Sequence, residues 1–255
     1  MPEHDYRAYA IRYGHRDNVP AHEAFHRPHA APVGGMDYFV WLVTDGTRSV
    51  VVDTGYGEAE GTRRGRQFLR SPDRGLAELG VEAASIEHVV LTHFHYDHIG
   101  GQALFPNATF YVQDEEMRFY TGPGASLPVI RESIFLPDVL SLVTLNYAGR
   151  VKLVEGDAEI LPGVRVHKAS GHTPGMQFVS LETARGRAVL TSDASHYYAN
   201  LEEANAFNTF VDLAGVFRGH ARIREIASSP DLIVPGHDPL VLERLTRVAD
   251  GIVQL

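Results

Sequence analysis

Val89-Val90-Leu91-Thr92-His93-Phe94-His95-Tyr96-Asp97-His98-Ile99-Gly100-Gly101 decides how the rest of this chain is read. An apolar run of β type passes without a break into His-Xaa-His-Xaa-Asp-His. Alternate residues of an extended chain point the same way, so His93 and His95 can share one metal ion. Asp97 and His98 follow as the chain turns and can face a second ion beside the first. The Ile99-Gly100-Gly101 stretch permits a tight backbone path into a following helix. At this composition the four fixed residues would arise by chance in roughly two or three chains per thousand, so the cluster is read as ligands and not as isolated imidazoles.

The pattern repeats in weaker form. Val164–Ala169 leads to Ser170-Gly171-His172-Thr173-Pro174-Gly175, Ala188–Thr191 to Ser192-Asp193, and Leu232–Val234 to Pro235-Gly236-His237-Asp238. Four apolar runs thus end in a candidate ligand. Donors at the C-terminal ends of several strands would meet at one edge of a fold, where loops carry chemistry on a rigid base. Taken singly, a Gly-His turn is commonly structural and Asp193 can cap a helix. Taken with the first motif they give five imidazoles and two carboxylates, enough for two ions with one carboxylate shared.

Composition narrows the chemistry further. The 255 residues hold 23 Lys and Arg against 32 Asp and Glu, a net charge of −9, with 44% hydrophobic residues. That is ordinary for a globular protein, and one domain spanning 1–255 is expected. The acidic balance argues against a nucleic-acid partner and against anionic membranes. There is no cysteine among the 255 residues, which excludes disulfides, thiolate catalysis and sulfur-ligated zinc. Any metal must take nitrogen and oxygen donors. The N-terminus lacks a secretory pattern and the apolar runs are too short to span a bilayer, so a cytoplasmic location is expected.

Short strands are predicted at Tyr38–Val43, Ser49–Asp53, His88–Thr92, Thr109–Val112, Val151–Val154, Val164–Ala169, Gln177–Leu181, Ala188–Thr191 and Leu232–Val234. Helical patterns cover Thr62–Leu79 (broken by Pro72), Gln113–Tyr120, Phe210–Ala227 and Asp238–Arg247. Strands interspersed with helices point to a layered α/β protein. The stretch His15–Gly35 reads as a loop or arm. Its histidines (His15, His22, His26, His29) match no metal template. This arm and Pro123–Leu140 are candidates to shape a pocket or to pair subunits in a homodimer.

From about Asp37 to His237 the sequence resembles the metallo-β-lactamase superfamily, whose most specific mark is His-Xaa-His-Xaa-Asp-His. Val52-Asp53-Thr54-Gly55 is similar to its early strand-end Asp motif. The resemblance implies an αββα sandwich, two mixed sheets face to face with helices outside. It implies that His93, His95 and His172 hold one ion, that Asp97, His98 and His237 hold the other, and that Asp193 bridges them. The true β-lactamases lack that Asp, which places this chain with the lactonase and glyoxalase-II branches. The spacing (74 residues from His98 to His172, 21 to Asp193, 44 to His237), Asp193-Ala194-Ser195 and Ser229–Pro239 resemble the N-acyl-homoserine lactone lactonases, the quorum-quenching enzymes.

The resemblance implies hydrolysis of a lactone or related small ester, with a metal-bridging hydroxide attacking the carbonyl. Asp97 would pass the proton to the leaving group, and Asp53 would orient a ligand imidazole. One departure stands out. Where those lactonases carry Tyr three residues after the bridging Asp, this chain has His196, then Tyr197 and Tyr198. Either Tyr197 or His196 polarises the carbonyl, or the substrate differs. Tyr96, Phe68 and Tyr198 are candidate substrate contacts. Zinc fits the donors, as do manganese, iron and cobalt. The competing readings are a glyoxalase-II-like thioesterase, a broad esterase or phosphotriesterase, a mono-iron oxygenase or electron-transfer protein on the same scaffold, and a metal-binding regulator without turnover.

Overall fold

The first sheet of the computed structural model, which describes residues 5–29 and 33–255, contains β1 (Arg7–Asp17), β2 (Gly35–Thr44), β3 (Ser49–Val52), β4 (Gln67–Phe68), β5 (His88–Val90), β6 (Thr109–Gln113) and β7 (Val151–Val154). The second contains β8 (Ala158–Leu161), β9 (Val164–Lys168), β10 (Gln177–Thr183), β11 (Gly186–Leu190) and β12 (Ile233–Val234). The last strands, β13 (Thr246–Ala249) and β14 (Ile252–Gln254), return to the first sheet. Its order is β13-β14-β1-β2-β3-β5-β6-β7, with β4 also on β1. The second sheet runs β12-β11-β10-β9-β8. Both are mixed: β3, β5, β6 and β7 are mutually parallel, as are β11 and β12, and the remaining pairs are antiparallel.

Side-chain alternation explains the layers. On β2, Trp41 and Val43 join Val50, Val52 and Val90 in facing Val166, Val179, Leu181 and Leu190 of the second sheet. Val40 and Leu42 point the other way, with Ile11, Val51 and Val89, against Leu76, Val139 and Leu142 of the helices. Phe178 and Val189 form the outer face of the second sheet and pack on Ile223 of the helix Leu213–Ile226. A strand apolar on both faces is buried on both, and four layers follow: helix, sheet, sheet, helix. This is the αββα sandwich.

All nine predicted strands are present. The helical reading of Thr62–Leu79 is corrected. The helix Glu58–Arg63 stops at Gly65, whose φ of +67° is left-handed, and β4 follows before a second helix begins at Pro72. Proline at the first helical position starts that helix and ends nothing. Asp238–Arg247 is helical only over Leu240–Arg244, because Thr246–Ala249 pairs with β14. Of the expected arm, His15–Asp17 belong to β1, Ala21–Ala24 form one helical turn, and 30–32 lie outside the described residues. No helix among the described residues is long and apolar enough to cross a membrane.

Candidate metal centre

The donors meet at the edge where β3, β5, β9, β11 and β12 end. Three backbone links fix this edge: Asp53 N–H donates to Val90 O, Gln177 N–H to Thr92 O, and Thr191 N–H to Val234 O. His93 and His95 follow β5 in extended conformation, and Asp97 and His98 lie in the single turn Tyr96–Ile99. The loop carrying His237 presses onto the segment carrying Asp193. A β-carbon on Gly236 would lie 2.6 Å from Ser192 O, so only glycine allows this approach. The two segments are joined by bonds from Gly236 N–H to Ser195 O and from His237 N–H to His196 O.

Ligand atoms of His93, His95, His172 and Asp193 lie within 4.8 Å of one another, as do those of Asp97, His98 and His237, and those of Asp193, His196 and His237. Asp193 stands between the first two groups. Its Oδ2 is 3.2 Å from His172 Nε2 and 3.7 Å from His93 Nε2; its Oδ1 is 2.9 Å from His237 Nε2 and 3.3 Å from His98 Nε2. All of these residues are buried.

The tautomers show what the site is built to hold. His172 Nδ1 is 2.7 Å from Thr209 O, and His237 Nδ1 is 2.8 Å from Asp37 O. A carbonyl only accepts, so each Nδ1 carries a proton, and the neutral ring that ligates a metal turns its Nε2 lone pair inward. His98 Nδ1 likewise donates to Asp53 Oδ2 at 2.8 Å. Lone pairs therefore converge on a carboxylate, acceptor against acceptor. His98 Nε2 and Asp193 Oδ1 are buried without any hydrogen bond, an arrangement that costs free energy unless cations fill it. The residues fit metal ions, and two groups sharing one carboxylate form sites for two.

The electrostatics agree. Burial opposes ionisation of Asp193, but His237, His98 and His196 hold its carboxyl well below the usual range. Burial and neighbouring imidazoles push His93 and His95 well below the usual histidine range, so both are neutral and able to ligate. His98 and His237 run the other way: burial is outweighed by Asp193, Asp53 and Asp97 at His98 and by Asp193 and Asp97 at His237, so the carboxylates favour a cation beside each ring, a proton or the metal ion that would displace it.

Asp53 is the organiser of this edge. Its carboxylate accepts from Thr92 N–H (2.8 Å), Thr92 Oγ1 (2.9 Å), Ser192 Oγ (3.1 Å) and His98 Nδ1. Its φ of +61° is left-handed, a conformation Asp and Asn tolerate better than most residues. Asp53→Asn keeps shape and backbone but leaves one acceptor oxygen for four donors. Metal affinity should fall roughly ten- to a hundredfold, measured by chelator competition; unchanged affinity would remove Asp53 from this role.

Other expected residues divide. Tyr96 lines the cavity over the donors together with Tyr38, Arg66 and Ser133. Tyr96 N–H donates to Ser133 O, so the Pro123–Leu140 segment does shape the pocket. His196 faces the site: its Nε2 is 2.9 Å from Asp193 Oδ2, and its ring stacks on Phe207 at 3.8 Å. Tyr197 does not. Its hydroxyl donates to Gly35 O at 3.3 Å and its ring packs with Val19, Ala24 and Phe25. Consecutive residues of extended backbone point oppositely, so a chain that turns His196 inward turns Tyr197 outward. Tyr198 lies under the Arg244 guanidinium, 4.0 Å away, and Phe68 sits on β4 beside Tyr56; neither lines the cavity. His15 pairs with the carboxylate of Asp37 and is not among the residues whose donor atoms converge. A larger cavity, about 860 Å³ beside the helix Leu213–Ile226, contains none of the seven donors. The chemistry of the lining, not its volume, picks the site.

Two contributors carry no motif. Tyr38 is one of several buried residues on β2. Glu116 is fully buried; its carboxyl accepts from Phe94 N–H (2.9 Å), Thr173 Oγ1 (2.8 Å) and Gly175 N–H (2.8 Å). It ties the His93–His95 segment to the His172 loop.

Comparison with known proteins agrees with this geometry. The family model for the metallo-beta-lactamase superfamily matches residues 33–237. The chain belongs to the metallo-beta-lactamase superfamily. It is similar to an N-acyl homoserine lactonase of Bacillus cereus, 31% identical over 74% of this chain and 76% of that protein. It is also similar to one of a Bacillus sp., 34% identical over 64% of this chain and 60% of the relative, so that match spans less than two thirds of the relative. Among solved structures, a quorum-quenching N-acyl homoserine lactone lactonase superposes with a TM-score of 0.80, at 23% identity, covering 99% of this chain and 100% of that one. At that identity the likeness speaks for the fold.

Proposed function

We propose that this superfamily member is a dinuclear-metal hydrolase that opens a lactone ring of the N-acyl-homoserine lactone type. The observation that carries the reading is the convergence of six buried donors around the shared carboxylate of a seventh, Asp193; the lactonase relatives support the substrate class. His93, His95 and His172 would hold one ion, Asp97, His98 and His237 the other, with Asp193 between them. Zinc suits these nitrogen and oxygen donors and needs no redox chemistry. When bound, a pair of divalent ions supplies a water-derived nucleophile near neutral pH and polarises an ester carbonyl.

The chain's own residues do the rest. Asp97, with Oδ2 3.6 Å from His98 Nε2 and 3.7 Å from His237 Nε2, lines the cavity and is placed to move a proton to the leaving alkoxide. Tyr38 and Tyr96 wall the cavity and exclude water. Burial pushes His196 down to about 4, so it is neutral at pH 7. A neutral imidazole donating from Nε2 holds Asp193 Oδ2 in place, which makes His196 a positioning residue. Two donor groups, not one, favour a two-ion hydrolase over a mono-iron oxygenase.

The test of the activity is proton release on lactone opening by the metal-loaded protein, with metal counted per chain. Cleavage of aryl esters or thioesters with no lactone opening would sink the reading. A second expectation separates neighbours in sequence. His196→Ala should lower kcat roughly ten- to a hundredfold, while Tyr197→Phe should stay within about threefold, the scale of a distant packing change. A large loss in Tyr197→Phe would return the carbonyl-polarising role to that hydroxyl.

A further inference from the structure

We infer, resting on the lactonase reading, that the substrate carries an anionic arm beyond its lactone ring and that Arg66 is the residue that selects it. Arg66 lines the same cavity as His95, Asp97, Asp193 and His237. It is half-buried, its Nε donates to Tyr96 Oη at 3.2 Å, and one terminal nitrogen donates to Arg64 O at 3.0 Å. Among the described residues it has no carboxylate at ion-pairing distance. The two other arginines at the mouth are spoken for. Arg16 forks onto Glu23 at 2.5 and 3.1 Å. Arg64 pairs with Glu60 at 2.6 Å and donates to Glu132 O and Ile134 O.

The fold builds this placement. Gly65 takes a left-handed turn, Arg66 N–H donates to Gly61 O at 2.8 Å, and the Arg64 guanidinium lies 3.9 Å over the Tyr96 ring. Arg66 is therefore directed at the cavity by anchored neighbours. In a chain of net charge −9, a guanidinium without a carboxylate at ion-pairing distance, its charge felt only from further off by Asp97 and Glu23, is a specific attraction for anions at the mouth of the site, with a planar fork suited to carboxylate.

Size and lining agree. The cavity holds about 150 Å³. Its mouth is formed by Arg16, Glu23, Arg64, Arg66 and Ser133, with Met36 as an aliphatic contact. Such a rim suits a small ring with a short charged arm and gives a long hydrocarbon chain little to bury against.

The experiment compares kcat/KM for N-succinyl-homoserine lactone, which carries a carboxylate, with that for neutral N-butanoyl-homoserine lactone. The wild type should favour the charged lactone. Arg66→Met should lower the charged-to-neutral ratio roughly ten- to a hundredfold, the scale of one charge-assisted hydrogen bond. Arg66→Lys, which keeps the charge without the fork, should retain part of the preference and guards against misreading a folding defect. A wild-type preference for the neutral lactone, or a ratio that Arg66→Met leaves unchanged, overturns the inference. If the wild type opens neither lactone, the lactonase reading fails by itself. Arg66 is then judged by glutarate binding to the metal-loaded protein: at least about tenfold weaker binding in Arg66→Met supports it, and equal binding overturns it.

Discussion

Asp193→Asn is expected to lower kcat/KM on the order of a thousandfold and to leave fewer than two metal ions per chain. The substitution keeps the volume and removes one charge at the point where five imidazoles, those of His93, His98, His172, His196 and His237, are within 3.7 Å of one carboxylate. Two neighbouring cations repel each other, and the shared anion offsets that repulsion. With the anion gone, the second ion binds weakly, and the amide can present only one acceptor oxygen. Losing one ion forfeits several kcal/mol of charge stabilisation in the transition state, and each 1.4 kcal/mol or so is tenfold in rate. Metal analysis after dialysis and steady-state kinetics read the two effects separately. Two retained ions with normal turnover would remove Asp193 from the bridging position and the paired-ion chemistry with it.

The donors were legible because each follows an apolar run, and a run buried on both faces announces itself in a single sequence. β1 shows the opposite case. Arg7–Asp17 interleaves Arg, His and Asp with Tyr, Ala and Ile, because part of the strand is solvent-facing, and no strand is predicted there. β8 and β13 are short and largely half-exposed or exposed for the same reason, and β14, although buried, is only three residues long. Arg66 and Glu116 could not be found by spacing. Glu116 is 22 residues from Phe94 and 57 from Thr173, and nothing local says that these segments meet. The choice between His196 and Tyr197 depends on which face of an extended segment turns inward, which the tertiary fold decides. The functional residues without motifs are those that act through other segments of the chain.

Glu116→Ala should produce the largest loss of stability, a fall in Tm of roughly 10 °C or more. The side chain is fully buried, and its removal strands Phe94 N–H, Gly175 N–H and the Thr173 hydroxyl. Each unsatisfied buried donor costs about 1–3 kcal/mol, and at this chain length 1 kcal/mol moves Tm by about 2–4 °C. The Gly175 loop approaches closely (a β-carbon there would lie 2.4 Å from Glu116 N), so the removed carboxylate has no neighbouring side chain in that loop to replace it. Because the clamp joins the His93–His95 segment to the His172 loop, the shift should be smaller in metal-loaded protein, where metal binding holds the native state. The pH dependence supplies a second readout. Burial, opposed by the three donors, pushes the Glu116 carboxyl up to about 7 from 4.5. The folded state then keeps a proton that the unfolded state releases between these values. Its contribution to stability is complete below about pH 4.5 and is lost as pH rises through about 7, a change on the order of 3 kcal/mol. Glu116→Gln cannot titrate, so it should flatten that slope while still lowering Tm, its amide nitrogen facing a donor. Urea unfolding of wild type and variant from pH 4 to 8 measures the slope. Parallel curves would show that Glu116 is ionised throughout, held by its three donors, and would leave the clamp standing without the pH effect.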